Sequence, residues 1–211
     1  MKKIGIIIGF WLYSIGMIGQ HTTELTVDYL PEKLTLKVYQ ELVFVNTTEQ
    51  ALDHIILNDW NHAYSARNTP LAERFADEFI RSIHVASERQ RGSTNGLTII
   101  DDQKSLLDWN RLVDHPDIIK INLPQPLQAG SAIHLTLTYS LKLPDATFTG
   151  YGYSGESELN LNQWMLSPAR QIDGKFVVYS NLNIDDAANA PMQVRLTVRP
   201  NGYYAISDLE Q

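Results

Sequence analysis

Residues Ser131–Leu143, SAIHLTLTYSLKL, carry the clearest secondary-structure pattern in the chain. Apolar or aromatic side chains alternate with polar ones throughout this stretch. Successive side chains of a β-strand point to opposite sides, so a period of two predicts a long strand with one buried face and one solvated face. The buried face would consist of Ile133, Leu135, Leu137, Tyr139, Leu141 and Leu143.

The same alternation recurs along most of the chain, with turn-forming residues between the segments. In Lys33–Asn46 it is broken only by Gln40. Several alternating strands separated by turns predict stacked antiparallel sheets. The expected fold is therefore mainly β, a single antiparallel β-sandwich over residues 21–211. Further strands are expected at Glu24–Leu30, Ala51–Leu57, Leu97–Ile100, Asp117–Leu123, Gly174–Ser180 and Met192–Arg199, with turns at Asn95-Gly96 and Pro124–Pro126.

One segment departs from the β pattern. Thr69-Pro70 supplies a hydroxyl N-cap and a proline suited to the first helical position. Apolar residues then recur every four positions, while charged residues take the opposite face, which indicates an amphipathic helix. We predict one helical insertion around residues 70–84. Its apolar face would be Leu71, Phe75, Phe79 and Ile83.

Composition excludes several functional classes. The 211 residues carry a formal net charge of −7 with no basic cluster, so a nucleic-acid partner is not expected. Cysteine is absent, which removes disulfides, thiol nucleophiles and cysteine-based metal sites.

The N-terminus predicts export. Lys2 and Lys3 precede the apolar run Ile4–Ile18, the arrangement of a secretory signal peptide, which we assign to residues 1–20. A membrane anchor is the alternative, but it normally needs about 20 apolar residues. We therefore expect a periplasmic or extracellular protein with no stable membrane span after signal cleavage.

The candidate catalytic residues do not form a recognisable motif. A zinc helix needs histidines one turn apart, as in H-E-x-x-H, whereas His54 and His62 are eight positions apart and His84, His115 and His134 stand alone. The serine-hydrolase pattern G-x-S-x-G is absent, although a Ser-His-Asp triad can assemble from distant positions. The pairs Asp101-Asp102 and Asp185-Asp186 read as solvated turn carboxylates. We therefore predict no catalytic residue and no metal ligand.

Two aromatic segments, Trp60–Tyr64 and Phe148–Tyr153 (FTGYGY), have two interpretations. The rings either form a binding surface or cover the ends of the sandwich, and we favour the covering role.

The chain also resembles a known family. Residues 57–84 (LNDWNHAYSARNTPLAERFADEFIRSIH) and the turn ERQRGSTNGLTI resemble the N-terminal region of aminopeptidase N-like zinc metallopeptidases, most of all the exported Bacteroidetes-type forms. LQAG leading into HLTLTYSLKLP, NQWMLSPAR at 162–170 and QVRLTVRPNGYYAIS at 193–207 are similar to later segments of that region.

The resemblance implies a saddle-shaped β-sandwich that packs against a thermolysin-like catalytic domain. Zinc would belong to that domain of a full-length relative and not to this chain. In the family's T-Q-x-E-x-x-x-A-R segment a glutamine lines the pocket for the substrate's first side chain, and Gln163 takes its place here. Met165 replaces the family's acidic residue, and Arg170 reads as a strand-end surface charge or a salt-bridge partner.

Three functional hypotheses follow. The first is a non-catalytic N-terminal domain of a secreted aminopeptidase-like metallopeptidase, contributing to a peptide substrate cleft at the domain interface. The alternative is a stand-alone periplasmic β-sandwich module for binding or adhesion, with a peptide or glycan as ligand. An enzyme that acts alone is the least favoured, because metallo-aminopeptidase activity would need a downstream H-E-x-x-H domain.

Overall fold

Thirteen strands and a few short helices make up the described part of the chain. The computed structural model describes residues 20–155, 158–184 and 188–199. The strands are His21–Leu30 (β1), Thr35–Val45 (β2), Leu52–Asn58 (β3), Ser93–Asp101 (β4), Trp109–Arg111 (β5), Ile118–Leu127 (β6), Ala132–Lys142 (β7), Gly152–Ser154 (β8), Glu158–Asn160 (β9), Ser167–Pro168 (β10), Gln171–Ile172 (β11), Lys175–Phe176 (β12) and Met192–Arg199 (β13). The helices are Pro70–Asp77 (α1) and Ser82–Val85 (α2), with 3-10 turns at Pro31–Lys33, Trp60–Tyr64 and Glu88–Gln90.

Two main sheets face each other. The larger has the strand order β13-β1-β2-β7-β4, and the smaller has the order β10-β3-β6-β5. All neighbours in these sheets are antiparallel except β1 and β13, which pair in parallel with Leu25 opposite Leu196. The mainly β, antiparallel prediction is confirmed, and the parallel edge pair is an exception that the sequence pattern did not indicate.

The core lies between the two sheets. The alternating positions of β2 and β7 point into it, as predicted, and meet isoleucines and leucines of β3 and β6 in one continuous cluster. Its most buried members include Leu36, Val38, Leu42, Phe44, Ile55, Leu57, Ile119, Ile121, Leu135, Leu137 and Leu141, each with 2% or less of its surface exposed.

Gln40 breaks the alternation of β2 without leaving the core. The side chain has no exposed surface, and its amide nitrogen donates to the Leu166 carbonyl at 2.8 Å and to Thr23 Oγ1 at 3.1 Å. Its amide oxygen accepts from the Tyr139 hydroxyl at 2.7 Å. Burying an amide is tolerated only when its hydrogen bonds are made. Gln40 therefore connects neighbouring segments by hydrogen bonds inside the sandwich.

We expect Gln40→Ala to destabilise the protein by about 2–4 kcal/mol, because it leaves a cavity and buried polar partners without hydrogen bonds. Urea unfolding measures this loss. Gln125→Ala, at an exposed position of β6, is the matched control and should change stability by less than about 0.5 kcal/mol. Equal effects of the two substitutions would contradict the structural role of Gln40.

The helical insertion is two short helices instead of one. Thr69 is the predicted N-cap of α1, accepting from the Ala72 backbone N–H at 3.3 Å. The helix then ends, because Phe79 adopts a left-handed backbone with φ of 60°. The backbone N–H groups of Phe79 and Ile80 donate to the carbonyls of Ala76 and Phe75, which is a Schellman C-cap.

The prediction for Phe79 was therefore wrong. Leu71, Phe75 and Ile83 are buried as expected, but Phe79 is 92% exposed. The position it occupies is one where glycine is usual, since a side chain at positive φ is strained.

We expect Phe79→Gly to raise the free energy of unfolding by up to about 1 kcal/mol, because glycine adopts the left-handed conformation without strain. Phe79→Ala is the matched control: it also removes the ring but keeps the strain, so it should gain less. Urea unfolding of both variants tests this, and an equal gain for alanine would show that the ring and not the backbone is responsible.

Three further expectations need correction. Asn95-Gly96 is not a hairpin turn but a bulge within β4, where the register against β7 shifts. Pro124–Pro126 lie in the last part of β6, and Gly174–Ser180 contributes only the two residues of β12. The strand predicted at Met192–Arg199 is present as β13.

Within residues 20–155, 158–184 and 188–199, no helix is both long and apolar enough to span a membrane. The predicted signal peptide, except for Gln20, lies outside the described residues.

Candidate functional site

A polar cavity of about 300 Å³ lies where the two aromatic segments meet. Trp60 and Tyr64 come from the turn after β3, and Thr149, Gly150 and Tyr151 from the loop after β7. Most of the remaining wall consists of side-chain amides, each of which offers both donors and acceptors. The amides are Asn160, Asn162, Gln163, Asn181 and Asn183.

Ring contacts and hydrogen bonds hold the aromatic wall in place. Tyr64 is 2% exposed, and its ring centroid lies 5.6 Å from that of Tyr151 and 6.5 Å from that of Phe148. The Tyr64 hydroxyl shares a hydrogen bond of 2.6 Å with Thr149 Oγ1, and the Tyr151 hydroxyl donates to Asn61 Oδ1 at 2.9 Å. Burial raises the pKa of both tyrosines, so both stay protonated. The rings cover the end of the sandwich and also line the cavity, so the two interpretations of the aromatic segments are compatible.

A close backbone approach holds the aromatic loop in place. Gly152 has φ of 120°, and a Cβ atom there would lie 1.9 Å from the Pro144 carbonyl oxygen. The Tyr153 backbone N–H donates to that same carbonyl at 2.9 Å. Only glycine allows this approach, which fixes Tyr151 against the cavity.

Gln163, the predicted substrate-binding residue, lines this cavity. Its backbone is left-handed, with φ of 51°, and its side-chain oxygen accepts from Asn189 Nδ2 at 2.7 Å. Asn189 Oδ1 in turn accepts from Ser167 Oγ at 2.9 Å. The oxygen of Gln163 is thus held by the protein, and its amide nitrogen is the end that can donate to a ligand.

The other two residues of the Gln163 segment take structural positions. Met165 is partly buried and packs against the main core. Arg170 is half-buried, and its backbone bonds to Val177 N–H and to the Ala188 carbonyl.

A buried ion pair lies next to the cavity, and the sequence did not reveal it. Asp59 has no exposed surface and accepts from Arg111 Nη2 at 2.6 Å and from Thr94 Oγ1 at 2.6 Å. The Thr94 backbone N–H donates to His62 Nδ1 at 3.2 Å. Burial, then repulsion from Arg111, lowers the pKa of His62 to about 4. The imidazole is therefore neutral at physiological pH and serves as an acceptor.

A Ser-His-Asp grouping does assemble from distant positions, but in an order that cannot activate serine. Ser180 Oγ donates to Asp117 Oδ1 at 2.8 Å and lies 2.8 Å from His115 Nδ1. A catalytic triad places histidine between serine and aspartate, so that the imidazole can take the hydroxyl proton. Here Ser180 lies in the middle and is only 5% exposed, so the group is a structural clamp.

This clamp fixes one wall of the cavity. Asp117, with no exposed surface, accepts from the Asn181 backbone N–H at 2.7 Å. Asn181 Nδ2 then donates to the Trp60 carbonyl at 3.3 Å. On the other side, Arg74 of α1 donates to the carbonyls of Leu182 and Asn183.

The remaining candidates show no catalytic arrangement. Asp101 Oδ1 accepts from the backbone N–H groups of Gln103 and Ser105, which makes it a turn carboxylate. His54 Nδ1 contacts the exposed Asp53, and Asp185-Asp186 lie outside the described residues. Among the residues that the structure describes, no group of three or more His, Asp or Glu could hold a metal ion.

Comparisons with known proteins give a limited result. No protein-family model matches the chain, and no curated protein matches it. Among solved structures, an M1 zinc metallopeptidase from Deinococcus radiodurans aligns over 84% of this chain and 31% of its own, at 12% identity and a TM-score of 0.37. A mutant form bound to a Tyr-Ser-Ala substrate aligns over 85% and 33%, at 11% identity and a TM-score of 0.38. The chain thus spans about a third of the length of these proteins, and a likeness at this level establishes neither family nor activity.

We expect acid to destabilise the protein partly through His62. Its pKa is about 4 when folded against 6.5 for an ordinary histidine, so the unfolded chain binds a proton first as the pH falls. The free energy of unfolding should therefore drop between pH 6.5 and pH 4, by up to about 3 kcal/mol from this group.

His62→Asn is the test variant, because its side-chain oxygen can still accept from Thr94 N–H but cannot titrate. Urea unfolding at pH 7 and pH 4.5 should show a drop smaller by about 2 kcal/mol in the variant than in the wild type. Other titrating groups, such as His21 and Asp117, are common to both proteins and cancel. Parallel pH profiles would contradict the role of His62.

Proposed function

We propose that the chain is a non-catalytic N-terminal domain of a secreted aminopeptidase-like zinc metallopeptidase. In this role it packs against a thermolysin-like catalytic domain and lends one wall to the peptide substrate cleft. The proposal rests on one observation. Gln163, the position at which the sequence matches the functional pattern of that family, lines the polar cavity.

The cavity suits a peptide. The exposed amide of Asn162 can pair with peptide N–H and C=O groups, while the rings of Trp60 and Tyr151 offer apolar contact. Its volume of about 300 Å³ is at the small end for ligand sites, which fits one or two residues at the end of a peptide.

In this proposal the catalytic groups belong to the catalytic domain and not to this chain. The described residues present no metal-binding cluster, and their Ser-His-Asp group is in a non-catalytic order. In this role zinc would be bound by the catalytic domain. The predicted signal peptide would direct the protein to the periplasm or the cell exterior.

Exposed apolar side chains offer a surface for the catalytic domain. Phe79 and Val85 are 92% and 71% exposed, and Ile80, between them in sequence, is 40% exposed. An exposed apolar segment of this kind is a candidate contact surface for another domain.

The role of Gln163 is tested by titrating the chain with a tripeptide that has a free amino-terminus, following tryptophan fluorescence because Trp60 lines the cavity. Gln163→Asn keeps an amide that tolerates the left-handed backbone but withdraws it from the ligand. We expect the Kd to rise about tenfold, the loss of one hydrogen bond. Gln125→Asn, an exposed amide of β6, is the control, and equal affinity of the two variants would refute the assignment.

A second candidate is the stand-alone binding module. The continuous buried core between the two sheets favours it, because such a core can fold without another domain. The coding sequence after Gln211 separates the two candidates. An in-frame H-E-x-x-H helix would support the peptidase domain, whereas a stop codon with no companion catalytic gene would favour the stand-alone module.

A further inference from the structure

A second cleft, of about 490 Å³, lies on the outer face of the five-stranded sheet. Its lining comes from β1, β2, β4, β7 and β13 and shares no residue with the cavity that contains Gln163. The two are therefore separate sites.

One cross-strand row of the cleft is charged. Asp28 lies opposite Arg199 on one side and Lys37 on the other, and Lys37 lies opposite Ser140. Directly opposed residues project to the same face of a sheet, so the two cations flank one carboxylate on the outer surface. The row carries a net positive charge in a chain whose formal net charge is −7.

Within the described part of the chain, these two cations are available to a ligand. In a neighbouring part of the same face, Arg195 pairs with Glu24 at 3.1 Å. Within the described residues, neither Lys37 nor Arg199 forms an ion pair.

The adjacent row on this face carries an aromatic ring among hydroxyls. Tyr39 lies opposite Thr26 and Thr138, and all three line the cleft. The tyrosine is 44% exposed, and its hydroxyl donates to Glu41 at 3.3 Å along the same strand. An anchored ring that lines the cleft and is still exposed presents a stacking surface.

The bulge in β4 gives the cleft a side wall. Gly96, at φ of 62°, lines the cleft, and no atom lies within 4 Å of the position a Cβ would take. The wall is thus backbone with open space beside it, which leaves room for a ligand to extend along the sheet.

We propose that this cleft binds an acidic oligosaccharide. The apolar face of a sugar ring stacks on Tyr39, and ring hydroxyls bond to Thr26, Thr138, Ser140 and Asp28. The sugar carboxylates bond to Lys37 and Arg199, since charge-assisted hydrogen bonds to carboxylates are the strongest that these side chains make. The volume of about 490 Å³ lies in the ordinary range for small-ligand sites and accommodates two or three sugar rings.

The test is isothermal titration of the chain with three probes: trigalacturonate, its fully methyl-esterified form and citrate. The ester keeps the sugar rings but has no charge, and citrate keeps three carboxylates without a ring. We expect trigalacturonate to bind at least tenfold more tightly than either. Equal binding of citrate would show an unspecific anion patch, and equal binding of the ester would remove the role of the cations; either result overturns the proposal, as does no binding at millimolar probe.

Variants locate the site. Tyr39→Ala and Lys37→Gln should each weaken trigalacturonate binding tenfold or more, while the control Lys175→Gln, an exposed lysine of β12, leaves it unchanged. Lys37 and Tyr39 are exposed, so the unfolding midpoints of both variants should stay near that of the wild type. This measurement distinguishes a loss of binding from a loss of folded protein. Unchanged affinity of Tyr39→Ala would refute stacking. Gln163→Asn should have no effect here, so this test and the peptide test can fail independently.

Discussion

The buried ion pair between Asp59 and Arg111 is the interaction on which the candidate peptide site depends. A carboxylate with no exposed surface is costly to keep charged unless it is paired and hydrogen-bonded, and Asp59 has both Arg111 and Thr94 as partners. The three residues belong to the turn after β3, to β5 and to β4. Losing any one of these residues would leave a buried charge or donor unpaired. Their contacts therefore fix the turn after β3 relative to β5 and β4.

Part of the wall of the polar cavity is connected to this pair. The Asp59 backbone N–H donates to the Asp117 carbonyl at 2.8 Å, and Asp117 in turn fixes Asn181 and Ser180. Trp60, the next residue in the chain, lines the cavity directly. Two buried carboxylates thus help to position Trp60 and Asn181 in the cavity wall.

Local sequence predicted the strands better than it predicted their partners. Alternation in β7 and β2 is strong because one face of each strand is fully buried, and even the break at Gln40 was visible. Which strands pair is decided by contacts between distant residues, so the parallel position of β13 beside β1 left no local signal. The end of α1 was missed for another reason: the left-handed C-cap is normally marked by glycine, and here the residue is Phe79.

The candidate site was predictable only in part. Gln163 and the two aromatic segments were found as separate features, through a resemblance and through composition. The sequence did not predict that these features meet at one cavity, because the cavity wall joins residues that are far apart in the chain, from Trp60 to Ile184. The Ser-His-Asp group gives a second example. The sequence could not exclude that a serine, a histidine and an aspartate come together, and His115, Ser180 and Asp117 do. Only the order of their hydrogen bonds shows that the group is structural and not catalytic.

The parallel pairing of the first and last described strands also governs how the sandwich forms during synthesis. His21 pairs with Met192, so one edge of β1 lacks this partner until synthesis has passed Met192. At ordinary elongation rates that delay is on the order of ten seconds or more. During it, an incomplete sheet presents free backbone donors and acceptors that another nascent chain could capture. Yield in the cell should therefore depend on how this edge is shielded before β13 arrives, whatever the stability of the finished fold.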